Sequence, residues 1–594
     1  LISSPPFGQA DLTNCERELI HLAGSVQPHG ALLVVRAGTF TIAQASASAG
    51  PLLGREPAAL LEQPLASLGG DLEPTVRALA GAQALAEPAA FQCRLAVAGA
   101  LREFEGAVHR LPAGALVVEV EPVGAAHVAQ ETVDLEGPAL VAQVEAAVQR
   151  LGEATTIERL ADVAVRAYRE LVGYDRVMVY RFDPDGHGLI IAEARHPRLQ
   201  TLLGHHYPAT DIPQRARELY LRNRLRVLVD VNYTPSALEP RHPPGSPDEL
   251  DMSMCYLRSM SPLHLQYLKN MGVTATLVVS LVREGKLWGL VACHHDTPRN
   301  LRASVRAAAD LLGEVTSTRL AALESQARSQ VSLQVRRLEQ RLVEATSTEG
   351  DWRMALLRNP RTLLQPLDAT GAALYYEGEF LTAGEVPSTP ELRALMQHIA
   401  QESADGFFAT SSIVAANPKL GSLTPTASGV LAVRLSASRP DTLMWFRREQ
   451  LQTLTWAGDP SKPMVTDDPL ELSPRRSFAA WSEIVRGTAV RWSDGEVTTA
   501  RAFGSALVDI IVQVNAVRLL IAEQQLAQVR AVVADSQEAV LVVDPVGRVL
   551  FASRVFLKVA RRAASPGREP VADLFAQPAQ VHQLLRGLSS ERQS

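Results

Sequence analysis

Two long helical stretches constrain this chain more than any other feature. From Arg302 to about Thr346 the sequence is rich in Ala, Leu, Arg, Glu and Gln, and Val331, Val335, Leu338 and Leu342 recur at steps of four, three and four. That spacing lines apolar side chains along one seam of a helix. A second stretch, from about Ser505 to Ala534, carries Ile510, Val514, Val517 and Ile521 on one stripe. In a chain of 594 residues, two such helices predict several sensor-sized units strung along a rod rather than one large core. A monomer would leave both stripes partly wet, so a homodimer built through these helices is expected.

Between the helices the pattern is mixed. Residues 16–120 contain apolar strand-like runs, Ala31–Val35 and Leu116–Val120, separated by Gly/Ala/Pro-rich connections. A helical stretch from about Val133 to Tyr168 follows. Arg176–Phe182 reads as a strand closed by the turn residues Asp183-Pro184-Asp185-Gly186. Thr276–Val282 and Leu287–Cys293, joined through Glu284-Gly285, read as a hairpin. The Pro-rich segment Thr234–Pro247 is expected to be a long loop. A further unit from about Trp352 to Ala502 has strands at Gly429–Leu435 and Thr442–Phe446, then a polar excursion from Trp456 to Pro474. After Ser536 a hairpin, Ala539–Asp544 with Arg548–Phe551, opens a segment too short for a complete sensor domain. The fold class is α+β and multidomain: antiparallel-sheet sensor domains joined by long signalling helices.

Composition excludes several classes. Basic residues number 58 and acidic residues 64, with no basic block, so a partner bound through its phosphates is not expected. The four cysteines, Cys15, Cys93, Cys255 and Cys293, are too scattered for a disulfide framework or a paired zinc motif. They suit a reducing cytoplasm. No apolar run approaches the ~18–20 residues of a membrane helix, and the N-terminus lacks a signal-peptide pattern, so no membrane partner is expected.

Chemistry concentrates in three segments. Gly204-His205-His206-Tyr207-Pro208-Ala209-Thr210-Asp211-Ile212-Pro213 is dense in polar and aromatic groups. Adjacent histidines point apart in a strand and lack helical metal-pair spacing, so no metal is expected there. Asp211, between rigid flanks, reads as a group aimed at a ligand. Pro262 starts a helix on which His264 and Leu268 lie one turn apart. Arg226 and Arg258 offer paired donors suited to carboxylates.

Together these segments resemble the phytochromes, and among them the bacteriophytochromes. The resemblance rests on Asn14-Cys15-Glu16, Gln27-Pro28-His29-Gly30, Pro208 to Pro213, Ser261-Pro262-Leu263-His264 with Tyr267-Leu268 and Asn270-Met271-Gly272. It rests further on Trp288-Gly289-Leu290 with Cys293-His294-His295, and on Trp445-Phe446-Arg447 with Pro474-Arg475-Arg476-Ser477-Phe478. It implies an N-terminal arm and PAS domain at 1–125, a GAF domain at 126–318, and a PHY domain at 319–520 with a tongue near 445–478. A linker helix and an incomplete PAS-like output would occupy 521–594. A figure-of-eight knot between PAS and GAF would use the Thr234–Pro247 loop.

The family carries a linear tetrapyrrole. With Leu263 rather than a cysteine before His264, the resemblance implies biliverdin held by a thioether to Cys15, with Cys255 the weaker alternative. Asp211, through its carbonyl, and His264 would serve the pyrrole nitrogens, in the motif continued by Ile212 and Pro213. Tyr220, Arg226 and Arg258 would hold propionate B, and Ser261 and Thr276 would lie near propionate C. His294 would meet the ring D carbonyl inside a cage of Tyr180, Tyr207 and Tyr267. Thr210, Val278 and Arg448 depart from the family's usual residues. The function implied is a red/far-red photoreceptor switching between Pr and Pfr states, with Trp445, Arg475 and Ser477 in the signalling tongue. Arg475 would pair with Asp211 in Pr and give way to Ser477 in Pfr. No phospho-acceptor histidine with Gly-rich ATP-binding boxes follows Phe478, so no enzymatic activity is expected. The expected output is protein contact through the C-terminal PAS. The alternative is the sensory half of a light-regulated histidine kinase.

Overall fold

The computed structural model describes the chain except for residues 1–3, 11–16, 83, 124–136, 184–185, 210–211, 213, 243–247, 350–351, 404, 451, 457–480, 486, 564–566 and 592–594. It divides into two compact units, residues 1–330 with 450–488, and residues 331–449 with 489–594.

The first unit holds two sheets. The N-terminal one has seven strands in the order Ser25–Val26, Ser236–Glu239, Thr41–Ser46, Ala31–Arg36, Leu116–Pro122, Ala100–Arg110, Ala89–Val97. In its edge strand Ala89–Val97, buried and exposed residues alternate, as one covered face requires. Its second strand corrects the sequence reading. Part of the expected loop Thr234–Pro247 is a strand, because Ser236–Glu239 finds open edges on both sides: Ser25 pairs with Ala237, and Leu238 with Ser46. The N-terminal segment is also gripped from the other side. The Gln27 N–H donates to the Leu257 carbonyl at 2.8 Å, and the Ser259 N–H donates to the Ser25 carbonyl at 3.0 Å. The Gln27 side chain donates to the Val227 carbonyl at 2.9 Å and accepts from the Val229 N–H at 3.1 Å. These contacts are consistent with a figure-of-eight crossing.

The second sheet has eight strands in the order Leu225–Leu228, Ala275–Arg283, Lys286–His295, Arg176–Phe182, Gly188–Arg195, His206–Tyr207, Gln452–Trp456, Trp481–Val485. Glu284 and Gly285 both have positive φ, 50° and 74°, which matches the right-handed twist of the hairpin they close. The last two strands pair antiparallel, and Trp456 lies parallel beside His206. One face of this sheet is covered by helices. The helical stretch expected from Val133 to Tyr168 is two helices, Gly137–Gly152 and Ile157–Val172. The break follows from Thr156, whose hydroxyl caps the second helix by accepting from the Arg159 N–H at 3.2 Å. The Tyr168 hydroxyl donates to the Ala309 carbonyl at 2.7 Å and fastens the long helix Ala303–Glu349 to this layer.

The second unit is built on a five-stranded sheet, Glu379–Gly384, Gly371–Tyr376, Thr442–Arg447, Gly429–Arg434, Phe407–Thr410. Trp445, assigned by sequence to the tongue, is a core residue of its central strand. Its indole is fully buried, donates to the Leu363 carbonyl at 3.0 Å and stacks near Phe503. The second long helix, Asp494–Ala534, starts eleven residues earlier than expected because Ser493 and Glu496 form a reciprocal capping box.

The two apolar stripes fare differently. Val335, Leu338 and Leu342 are buried in the core of their own unit with Trp352, Trp445 and Phe503, so this stripe is already covered. Ile510 and Val514 join the same core, whereas Val517 and Ile521 stay 54% and 51% exposed. Among the described residues, the helix segment Gly495–Ala534 is also long and apolar enough, by length and composition alone, to cross a membrane. This corrects the expectation that no run approached that length. The expected C-terminal hairpin is present as Leu541–Val543 paired with Val549–Ala552.

Candidate functional site

Alternation along the strands of the eight-stranded sheet makes two different faces. Val177, Val179, Leu277, Val279, Val291 and Cys293 point to the helix-covered core. Met178, Tyr180 and Leu290, with Val278 and Ala292, point the other way and form a second cluster with Ile190, Leu202, Tyr207, Ile212 and Tyr220. The Tyr180 and Tyr207 rings lie 5.7 Å apart, and Phe182 meets Tyr180 at 5.2 Å. Register carries this second face across the sheet. Arg226 is opposite Val278, and Thr276 is opposite both Leu228 and His294.

His264 lies on the helix Pro262–Asn270, begun by Ser261 at the cap and Pro262 in the first turn. The His264 and Tyr267 rings stack at 6.1 Å, and Tyr267 packs with Leu228 and Leu268 in a cluster separate from Tyr180 and Tyr207. Burial pushes the His264 pKa down to about 4. Burial first, then Arg176 and His264, pushes His294 down to about 3, so both imidazoles are neutral near pH 7. The buried His294 Nδ1 has no hydrogen-bond partner among the described residues.

Two buried guanidiniums share this region. Arg226 is 7% exposed and among the described residues donates only to carbonyls, those of Leu225 at 3.0 Å, Leu219 at 3.4 Å and Ser253 at 3.2 Å. Arg258 donates to the Ile20 carbonyl at 2.6 Å. Neither forms an ion pair among the described residues, and the Arg258 Nε has no hydrogen-bond partner there. Burial and then Arg258 push the Arg226 pKa down to about 9. Burial also lowers Arg258 and raises the Tyr220 hydroxyl. Two desolvated cations in one region are costly until anions join them.

Of the residues singled out by sequence, Cys15, Asp211, Pro213, Arg475 and Ser477, and also Thr210, lie outside the described residues. Thr276 is buried, Ile212 and Val278 are partly buried, and Arg448 is exposed. Cys255 is 1% exposed, and burial raises its thiol pKa well above the usual value; Cys93 is pushed up to about 12 and Cys293 is raised as well. His205 and His206 gather no metal cluster among the described residues. The one cluster of suitable geometry there, Asp175, His295 and Asp296, already holds the Arg198 guanidinium.

Two organising residues escaped the sequence reading. Glu18 accepts from the Gly8 N–H and from the Ser261 hydroxyl, both at 2.7 Å. Arg217 donates to the carbonyls of Ile212 at 2.9 Å, Gly186 at 2.8 Å and Ala209 at 2.9 Å. Neither carries a local pattern, since the partners are assembled by the fold.

Comparison with known proteins agrees with this geometry. Family models match as "PAS fold" over residues 15–123, "GAF domain" over 156–322 and "Phytochrome region" over 335–516. The chain is 36% identical over 521 residues to cyanobacterial phytochrome B of Nostoc sp., covering 86% of this chain and 67% of that protein. It is 35% identical to a bacteriophytochrome of Xanthomonas campestris pv. campestris, covering 83% and 77%. A crystal structure of a bacteriophytochrome from the photosynthetic bacterium R. palustris matches with a TM-score of 0.73 at 33% identity, covering 84% of this chain and 99% of that one. The wild-type photosensory core module of Stigmatella aurantiaca phytochrome matches with a TM-score of 0.71 at 34% identity, covering 85% and 99%. The chain belongs to the phytochrome family of red/far-red photoreceptors, on its bacteriophytochrome side.

Proposed function

We propose that this chain binds biliverdin on the Tyr180 face of the eight-stranded sheet and holds it covalently through Cys15. The observation that carries this reading is the pair of buried guanidiniums, Arg226 and Arg258, with no carboxylate partner among the described residues. A pigment with two propionates supplies the missing charge, with Tyr220 beside Arg226 and with Ser261 and Thr276 serving the second carboxylate. The buried His294 Nδ1 supports the same reading, because a pigment carbonyl gives the imidazole a partner. The three described cysteines are buried with raised thiols, so Cys15 is the nucleophile we assign.

When bound, the pigment supplies light absorption and isomerisation of the double bond between rings C and D. The protein's own groups do the rest. Asp211, through its carbonyl, and neutral His264 retain the protons on the pyrrole nitrogens. Tyr180, Tyr207 and Tyr267 exclude water around ring D, and His294 holds its carbonyl in one state and releases it in the other. Arg475 pairs with Asp211 in Pr and yields to Ser477 in Pfr. Trp456 paired with His206, in the segment that leads to Asp211, supports a path from the site into residues 450–488. That segment then refolds and moves the long helices, a bistable element biased by light. We assign a cytoplasmic homodimer whose output is protein contact through residues 521–594. Coverage of 67% of the Nostoc relative keeps the second reading, the sensory part of a longer histidine kinase.

The test is to add biliverdin to the apoprotein, record its spectrum under red and far-red light, and probe zinc fluorescence on a denaturing gel. A photoconvertible band and a fluorescent band lost in Cys15→Ser are expected. Absence of any photoconvertible pigment removes the proposal. A fluorescent band that survives Cys15→Ser and disappears in Cys255→Ser moves the attachment to the GAF domain.

A further inference from the structure

We propose that Glu119 is the positioning residue for Arg258, holding the backbone that presents this guanidinium to a pigment propionate, and that the hold is strongest when Glu119 is ionised. The inference rests on the reading that Arg258 serves a propionate. Glu119 lies on the strand Leu116–Pro122 and is 2% exposed although it is a carboxylate. Its two oxygens are used on successive backbone groups. Oε2 accepts from the Tyr256 N–H at 3.0 Å and Oε1 from the Leu257 N–H at 2.7 Å. A buried N–H left without an acceptor is costly, and one carboxylate satisfies both. The next residue is Arg258. Its backbone is gripped from the other side by the N-terminal strand. The Gln27 N–H donates to the Leu257 carbonyl at 2.8 Å, the Ser259 N–H donates to the Ser25 carbonyl at 3.0 Å, and Arg258 lies antiparallel beside Val26. The guanidinium then reaches the Ile20 carbonyl at 2.6 Å. One buried carboxylate thus sets the path of the chain into Arg258.

The charges around Glu119 explain why its protonation matters. Glu121, two residues on along the same strand, pairs with Arg306 of the long helix at 2.6 Å and lies 3.4 Å from His29. Glu105, opposite Glu121 on the neighbouring strand, accepts from the Ala303 N–H at 2.9 Å. The same strand places Ala107 opposite Glu119 and His109 opposite Val117. On the third strand Leu32 is opposite Glu119, and the loop packed over it adds Cys255 and Tyr256. Among the described residues Glu119 itself forms no ion pair, because Arg306 is taken by Glu121. In spite of burial, Arg306 and then His29 hold Glu121 down at about 2. Burial raises Glu119 to about 7, with Glu121 adding to the rise and the two N–H bonds and Arg306 opposing it. A proton on either Glu119 oxygen turns that atom into a donor facing a backbone donor, so one of the two bonds is lost. The backbone leading into Arg258 is then held at one point instead of two.

Two pigments and a pH series separate this role from a merely structural one. Reversible affinity for biliverdin and for biliverdin dimethyl ester is read from the absorbance rise on mixing, between about pH 8.5 and about pH 6. Wild-type affinity for biliverdin should fall about threefold to tenfold across that range, the size of one lost hydrogen bond. Affinity for the ester, which offers Arg258 no carboxylate, should stay within about twofold. Glu119→Gln keeps one acceptor and sets an amide N–H against the other backbone donor. It should bind biliverdin at the wild type's low-pH affinity throughout. Should that variant not fold, the two pigments compared on wild type carry the test. Biliverdin affinity that is level with pH, or that rises as pH falls, overturns the inference. So does a fall of equal size for the ester, by making Glu119 a determinant of the fold and not of Arg258, and so does a Glu119→Gln profile that follows wild type. Wild-type protein that takes up neither pigment at any pH overturns the pigment reading on which the inference rests.

Discussion

The Arg217 guanidinium donates to the Ala209 carbonyl at 2.9 Å while the Ala209 N–H donates to His187 Nδ1 at 3.1 Å. Ala209 is therefore held on both sides of its own Cα. The same guanidinium holds the carbonyls of Ile212 and Gly186 and lies 4.6 Å from the centre of the Phe182 ring. One side chain thus anchors the carbonyls of residues 209 and 212, which flank Asp211 in the sequence.

Loss of this clamp should weaken the hold on the pigment's proton. Arg217→Gln and Arg217→Lys are expected to lower the pH at which the bound pigment bleaches by about one unit, with covalent attachment retained. Lysine should not rescue, because one ammonium cannot reproduce a planar fork reaching three carbonyls. An unchanged bleaching titration in both variants would sink this assignment.

The buried arginines give a trade-off between stability and binding. Arg226 is pushed from the usual arginine value down to about 9, so between the two the unfolded chain binds more protons than the folded one and the unliganded fold gains stability as pH rises there. Below about 9 the desolvation cost is present in full. Arg226→Met should therefore raise the melting temperature of the apoprotein while weakening biliverdin by about tenfold or more. Biliverdin dimethyl ester, which has no propionate charge, should lose affinity for wild type and much less for the variant. Equal loss on both proteins would separate Arg226 from the propionates.

How much of this was legible in the sequence depends on how local the cause is. The strand Arg176–Phe182 and the hairpin around Glu284-Gly285 were readable because alternation and turn chemistry act over a few residues. The His264 helix was readable because Pro262 marks its start. Ser236–Glu239 looked like loop because its reason to be a strand lies in distant edges at Ser25 and Ser46. Trp445 was misplaced because a motif gives order along the chain and not depth; only the packing with Phe503 and Leu363 shows it as core. Glu18 was invisible for the same reason, its Ser261 partner being 243 residues away.

His109 predicts an acid limit. It is 2% exposed on the strand Ala100–Arg110, and neither ring nitrogen has a hydrogen-bond partner among the described residues. Burial pushes its pKa from 6.5 down to about 4, against a smaller opposing effect of Asp251. The unfolded chain thus takes up the proton first, and stability present above 6.5 is lost as pH falls toward 4. The contribution is on the order of 3 kcal/mol at most. Urea midpoints of wild type should fall between pH 7 and pH 4 more steeply than those of His109→Leu. Parallel slopes in the two proteins would remove His109 as a cause.

The helix stripes separate a dimer contact from a core contact. Val335 and Leu338 are 7% and 3% exposed inside their own unit, so Leu338→Glu should destabilise the fold rather than the assembly. Val517 and Ile521 remain 54% and 51% exposed, with Leu520 at 64% on the same helix. Covering each such aliphatic is worth ~1.5–3 kcal/mol, and a second copy of the helix presents the same apolar side chains in return. Light scattering at micromolar concentration should give about twice the 64.2 kDa chain mass. The double variant Val517→Glu/Ile521→Glu should give the single-chain mass while leaving the pigment spectrum unchanged, because neither residue lies in the unit that holds the site. Wild-type protein that runs at the single-chain mass in both light states would exclude the dimer. A variant that keeps the doubled mass would place the contact elsewhere on the helix.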